Sequence, residues 1–333
     1  MMNYKQLIVD IRQQKFKPVY LLHGEEPFFI DEITHAVEEH ALSEDEKEFN
    51  QTILYGRDTD VDQIIEAAKR FPMMAERQVV IVREAQNLRQ LDKLENYALN
   101  PTSTTILVIA HKYKKVDGRK KFAKNIAKSG VVFESKIVYD NQIPDWIQNY
   151  LKSSDYQITP KASILMGEFL GNNLGKIANE LDKLKLNIDP GATIDENDIE
   201  KNVGISKDFN NFELQKAIGA KDVFKATQIA RYFSQNTKDH PFVMTLSILS
   251  SYFSKVMCIF FEKNKDKRHL ASKLKVNPFF VDDYLIAAKN YSGKKVQENI
   301  SLIREYDARY KGVNAGNIPE GELIKEFVHR LMH

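Results

Sequence analysis

Apolar and polar positions change rhythm along this chain. In the first part, short unbroken apolar runs alternate with longer stretches in which apolar residues recur every three or four positions. VYLL, from Val19, reads as a strand, and EPFFIDEITHAVEEHAL as a helix with the stripe Ile30, Ile33, Ala36 and Val37. FNQTILY reads as a second strand. TDVDQIIEAAKR follows as a helix carrying Val61, Ile64, Ile65 and Ala68 on one face, with Thr59 or Asp60 available as its cap. A short helix is expected from Pro72, then the strand QVVIVREA, the helix LRQLDKLENYAL, and the strands TTILVIA and GVVFE. Strands that are apolar throughout, separated by helices, predict a largely parallel sheet covered on both faces.

Beyond Ser135 the period is helical. IPDWIQNYLKSS has Pro144 near a helix start, and TPKASILMGEFL repeats the pattern with Thr159 and Pro160. LGKIANELDKLKL has Asn172 or Asn173 to cap it, and TIDENDIEKNV reads as one more short helix. This stretch is too small for a second sheet. From Phe209 onward amphipathic stripes recur to the C-terminus. The fold class expected is α/β followed by all-helical, with domains at 1–135, 136–208 and 209–333.

At 333 residues, 43% hydrophobic and 28% charged, the chain has the composition of an ordinary globular protein, and its net charge of +2 marks neither a polyanion binder nor an acidic mimic. One cysteine, Cys258, excludes an internal disulfide and reads as a buried small hydrophobe in a reducing cytoplasm. The N-terminus carries early charges and no apolar core of a secretory leader. PFVMTLSILSSYFSKVMCIFFEK approaches the length of a membrane span but contains Lys255. It reads as a core helix, so no membrane partner is expected.

VYLLHGEEPFFIDE has the outline of a phosphate-binding strand–turn–helix. A working P-loop needs a lysine for the terminal phosphates and a hydroxyl for magnesium. Only Gly24 is present, and Glu25 and Glu26 stand where phosphate would lie. LGNNLGKIA, with Gly171, Gly175 and Lys176, imitates the motif one residue short and reads as a loop and cap. The strand VVIVREA ends in Arg83 and Glu84, not in the acidic pair of an ATPase, so Glu84 is given a structural or interface role. The eight histidines are scattered. No catalytic residue, metal site or cofactor is expected.

Two features point to partners. HKYKKVDGRKKFAKNIAK gathers Lys112, Lys114, Lys115, Arg119, Lys120 and Lys121 with Lys124 and Lys128 against one acid, Asp117. That pattern fits DNA phosphates or a solvated face. KNKDKRHLASKLK repeats the ambiguity. The pair Met73–Met74 suits a protein groove if displayed, and the core if turned inward.

Four segments, VYLLHGEEPFFIDE, FPMMAERQVVIVREAQNL, LGNNLGKIANELDKL and FELQKAIGAKDVFKATQIARYF, in that order, resemble the delta subunit of the bacterial DNA polymerase III clamp loader. REYDARYKG, with Asp307 and Lys311, extends the resemblance to nearly the whole chain. The resemblance implies an AAA+-like α/β domain without ATP turnover, a small helical lid and a helical collar. It implies a cytoplasmic subunit that binds and opens the sliding clamp (the beta subunit), with gamma/tau and delta prime in a hetero-pentamer and primed DNA reached through the assembly. The family's clamp-contacting apolar pair falls on Met73 and Met74, with Phe71 beside them. The holoenzyme is a DNA-directed DNA polymerase, a nucleotidyltransferase as a complex, while this chain alone is expected to be inactive. An independent AAA+ ATPase and a non-replicative DNA-binding scaffold are the alternatives.

Overall fold

A computed structural model describes residues 4–313 and 318–333. The chain divides into two compact units, the first ending at Val138 and the second beginning at Tyr139.

The first unit runs α1 (Tyr4–Arg12), β1 (Val19–Gly24), α2 (Pro27–His40), α3 (Glu44–Asn50), β2 (Gln51–Tyr55), α4 (Val61–Lys69), β3 (Gln78–Arg83), α5 (Glu95–Leu99), β4 (Thr105–Lys112), α6 (Lys121–Ser129) and β5 (Val131–Ser135). The strands form one parallel sheet in the order β2-β3-β4-β1-β5. Successive side chains along a strand point to opposite faces, and here both faces are covered. Val19, Leu21, Val80, Val82, Leu107 and Ile109 pack with Ile64 of α4, Tyr97 of α5 and Phe122 and Ile126 of α6. Tyr20, Leu22, Val79, Ile81, Ile106 and Val108 pack on the other face with Leu7 and Ile11 of α1 and Ile30, Ile33 and Val37 of α2. This double burial is why the inner strands β1, β3 and β4 read as apolar runs.

The second unit opens with α7 (Ile143–Lys152), β6 (Gln157–Ile158), α8 (Pro160–Leu170), α9 (Leu174–Asn187), β7 (Thr193–Ile194) and α10 (Glu196–Val203). Caps fall on residues with a side-chain acceptor: Thr159 for α8, Asn173 for α9 and Asp195 for α10. It continues through α11 (Asn211–Ala220), α12 (Val223–Gln235), α13 (Phe242–Phe261), α14 (Lys267–Leu274), α15 (Val281–Asn290), α16 (Gly293–Tyr310) and α17 (Glu320–Met332), which share one apolar cluster. By length and composition α13 could cross a membrane, yet Phe242, Leu246, Leu249, Phe253 and Val256 are buried in that cluster.

Four sequence expectations need correction. No helix starts at Pro72; residues 71–77 are a bent loop in which Met74 takes φ 52°. LRQLDKLENYAL is not one helix but a 3₁₀ turn, Leu91–Leu94, running into the short α5, because Gln90 adopts a left-handed conformation before it. The region 136–208 does hold a second sheet, the parallel pair β6–β7. Cys258 is exposed, since the buried stripe of α13 passes through Val256 and Ile259 and leaves position 258 on the outer side.

Candidate functional site

The turn after β1 lies at the carboxyl end of the parallel sheet, with β4 and β5 on either side of β1, where α/β folds place their ligands. Here the turn is closed by the protein's own oxygens. Gly24 adopts φ 144°, and a Cβ at that position would stand 1.9 Å from the Ser135 carbonyl oxygen. That carbonyl accepts the Glu25 N–H at 3.0 Å, and the Gly24 N–H donates to the Lys114 carbonyl at 3.1 Å. Ser135 Oγ donates to the Glu26 carbonyl at 2.6 Å. The buried Glu26 carboxylate caps α2 by accepting the Phe28 N–H at 3.0 Å. Burial raises its pKa, and that backbone hydrogen bond works the other way. The N–H groups a phosphate would need are therefore already engaged.

Charges around the turn are matched in the same way. Lys115 reaches Glu25 at 3.3 Å and Glu134 at 3.4 Å. Lys112 lies 2.6 Å from Asp31 and 3.5 Å from Glu84, and Arg83 pairs with Glu38 at 2.8 Å. Lys112 is held more firmly protonated than usual; burial opposes this, but the Asp31 hydrogen bond and the two carboxylates prevail. Glu84, itself left-handed at φ 54°, is thus a partner of Lys112.

The loop between α4 and β3 has a different character. Phe71, Met73 and Met74 are 83%, 61% and 103% exposed, so the displayed placement holds over the inward one. Below this apolar tip the loop is tied down. The side-chain amide of buried Gln78, the first residue of β3, donates to the carbonyls of Ala67 and Arg70 and to Thr105 Oγ1. Asn50 accepts the Met73 N–H at 2.6 Å and donates to the Met73 carbonyl at 3.0 Å. A helix from Pro72 would leave the Met73 N–H unpaired but would need its carbonyl; Asn50 takes that carbonyl, and Met74 at φ 52° is outside the right-handed helical region. Arg77 lies over the Phe16 ring at 5.2 Å.

The basic segment is less free than its sequence implies. Besides Lys112 and Lys115, Lys120 pairs with Asp92 at 3.0 Å and Arg119 with Asp117 at 3.1 Å. Lys114, Lys121, Lys124 and Lys128 are exposed, the last three on the outer face of α6, opposite Phe122, Ala123 and Ile126. The acids that neutralise the segment, Glu25, Asp31, Glu84, Asp92 and Glu134, come from elsewhere in the chain. Asn50 and Gln78 likewise gave no local signal, since each acts on backbone that is distant in sequence or read as helix. Near the C-terminus, Lys311 pairs with Asp307 at 2.7 Å.

Comparison with known proteins agrees along most of the chain. A family model described as "DNA polymerase III, delta subunit" matches residues 20–136, and one described as "DNA polymerase III delta subunit, C-terminal domain" matches residues 208–323. The chain is 25% identical over 314 residues to DNA polymerase III subunit delta of Bacillus subtilis, covering 91% of this chain and 90% of the relative. In fold it is similar to the solved DNA clamp loader delta protein of Bacillus subtilis, with a TM-score of 0.57, 24% identity and 99% of each chain covered. With two separate stretches of the sequence matched in order to one family, this chain belongs to the DNA polymerase III delta-subunit family.

Proposed function

We propose that this chain works in a clamp loader as the subunit that grips and opens the sliding clamp. The observation that carries the reading is the solvent-facing tip Phe71, Met73 and Met74 on a loop whose stem is tied by Asn50 and Gln78. Exposed apolar side chains on an anchored loop suit insertion into an apolar groove on a partner. If the groove is better formed in the open clamp, that differential affinity shifts the clamp toward opening. ATP turnover belongs to partner subunits of a hetero-pentamer that includes gamma/tau and delta prime. The engaged N–H groups around Gly24 support a cradle that serves as scaffold and count against an independent ATPase. Residues 136–208 are read as the lid and 209–333 as the collar that joins the hetero-pentamer. Primed DNA is reached through the assembly, with Lys114 and Lys121 the better placed of the basic residues.

Reconstitution tests this directly. A loader assembled with the Met73→Ala, Met74→Ala variant should retain its subunits and lose most clamp loading on primed DNA. Loading at the wild-type rate would contradict the proposal.

A further inference from the structure

Asn50, the last residue of α3, is buried and lies 23 positions before Met73 in sequence. Its amide engages both backbone polar groups of Met73, and Nδ2 also donates to the Glu46 carbonyl at 3.1 Å. That bond fixes the amide's orientation: reversed, an NH₂ group would face the Met73 N–H and the oxygen would face two carbonyls. Met73 itself lies in neither helix nor strand, and most of its side chain is in solvent. The Asn50 pair therefore does for this residue what a sheet ladder does elsewhere.

We propose that Asn50 is a positioning residue for partner binding: it holds the Met73 backbone so that Met73 and Met74 leave the surface in one geometry. The inference rests on the clamp-contact reading of that loop. Asn50 is too buried to touch a partner, so its effect comes from loop order already present before binding. Fixing a loop in its bound shape raises affinity by lowering the ordering cost of association. Losing the two half-buried hydrogen bonds should weaken clamp binding about tenfold.

The test is a double-mutant cycle with the full chain and its cognate sliding clamp: wild type, Asn50→Ala, Met73→Ala with Met74→Ala, and all three changes together. Melting temperature is measured on each. Asn50→Asp, nearly the same size, is made in parallel in case Asn50→Ala folds poorly. It keeps an acceptor for the Met73 N–H but turns a carboxylate oxygen toward the Met73 and Glu46 carbonyls, so it should lose affinity too. The expected result is an Asn50 penalty that vanishes once both methionines are alanine, with faster hydrogen exchange at the Met73 amide in the Asn50 variants. A penalty of equal size in both backgrounds would overturn the positioning role in favour of a general structural one. Wild-type affinity in the Asn50 variants, with weakened binding in the methionine variant, would overturn it and leave the clamp contact standing. Wild-type affinity in the methionine variant would remove the clamp reading itself, and the inference with it.

Discussion

At the scale of single residues, Gly24 and Glu168 carry distinct consequences. A side chain at position 24 would strike the Ser135 backbone, and φ 144° is a conformation that L-residues avoid. Gly24→Ala should therefore cost about 3 kcal/mol of stability, readable by denaturant unfolding, although the turn holds no ligand in this reading. Glu168, on α8, is only partly exposed, and one carboxylate oxygen is enclosed without a partner. Burial raises its pKa to about 7, against a backbone hydrogen bond from Phe212 that works to lower it. The folded protein then holds a proton that the unfolded chain releases near the ordinary carboxylate value. Stability should fall as pH rises from about 4.5 to about 7 and stay level above that, by about 3 kcal/mol. Glu168→Gln should flatten that slope, so that its melting temperature gains on wild type from pH 4.5 to pH 8. Parallel profiles for the two proteins would contradict the assignment.

At the scale of elements, α6 and the loop before it divide into neutralised and available cations. Lys112 and Lys115 are committed to carboxylates around the β1 turn, whereas Lys114 and Lys121 are exposed, with no ion pair among the described residues. Lys114→Ala with Lys121→Ala should weaken DNA association of the assembled loader, with the loss shrinking as salt rises, because phosphate contacts act through counterion release. Equal DNA affinity across a full salt titration would remove this face from the interface. The same segment shows what the sequence could and could not reveal. The three inner strands β1, β3 and β4 were legible because burial on both faces leaves apolar runs with no polar alternation, while the edge strands β2 and β5, less buried, were legible from their β-branched and apolar residues. The cap at Thr159 was legible, and those at Asp60 and Asn173 to within one residue, because a cap is a local event. Ion pairs linking Lys120 to Asp92, or Lys112 to Asp31, join distant positions, so the run looked more uniformly basic than it is. The loop after α4 failed in part for the same reason: Pro72 fits a helix start, but the remote Asn50 holds the Met73 carbonyl and Met74 turns left-handed.

At the scale of the whole molecule, the first unit combines a sheet end closed on itself with an apolar tip left open to solvent. The second unit carries helices joined by side chains as well as by apolar packing. Glu213, near the start of α11, is buried between Lys161 of α8 and Lys225 of α12. Burial works to raise its pKa, but the two lysine contacts prevail and hold it below the usual range. The central claim is that the apolar tip is a binding element and not a piece of core. Burying one methionine in a partner is worth about 1.5–3 kcal/mol on area grounds, and alanine at a central pair commonly removes a few kcal/mol of binding. Truncation inside a core would instead leave a cavity and lower the melting temperature. The decisive measurement is the affinity of the full chain for its sliding clamp, taken with the melting temperature, for wild type and for Met73→Ala with Met74→Ala. The account predicts at least a tenfold loss of affinity, about 1.4 kcal/mol, at an unchanged melting temperature. Unchanged affinity, or a loss that tracks unfolding, would contradict it.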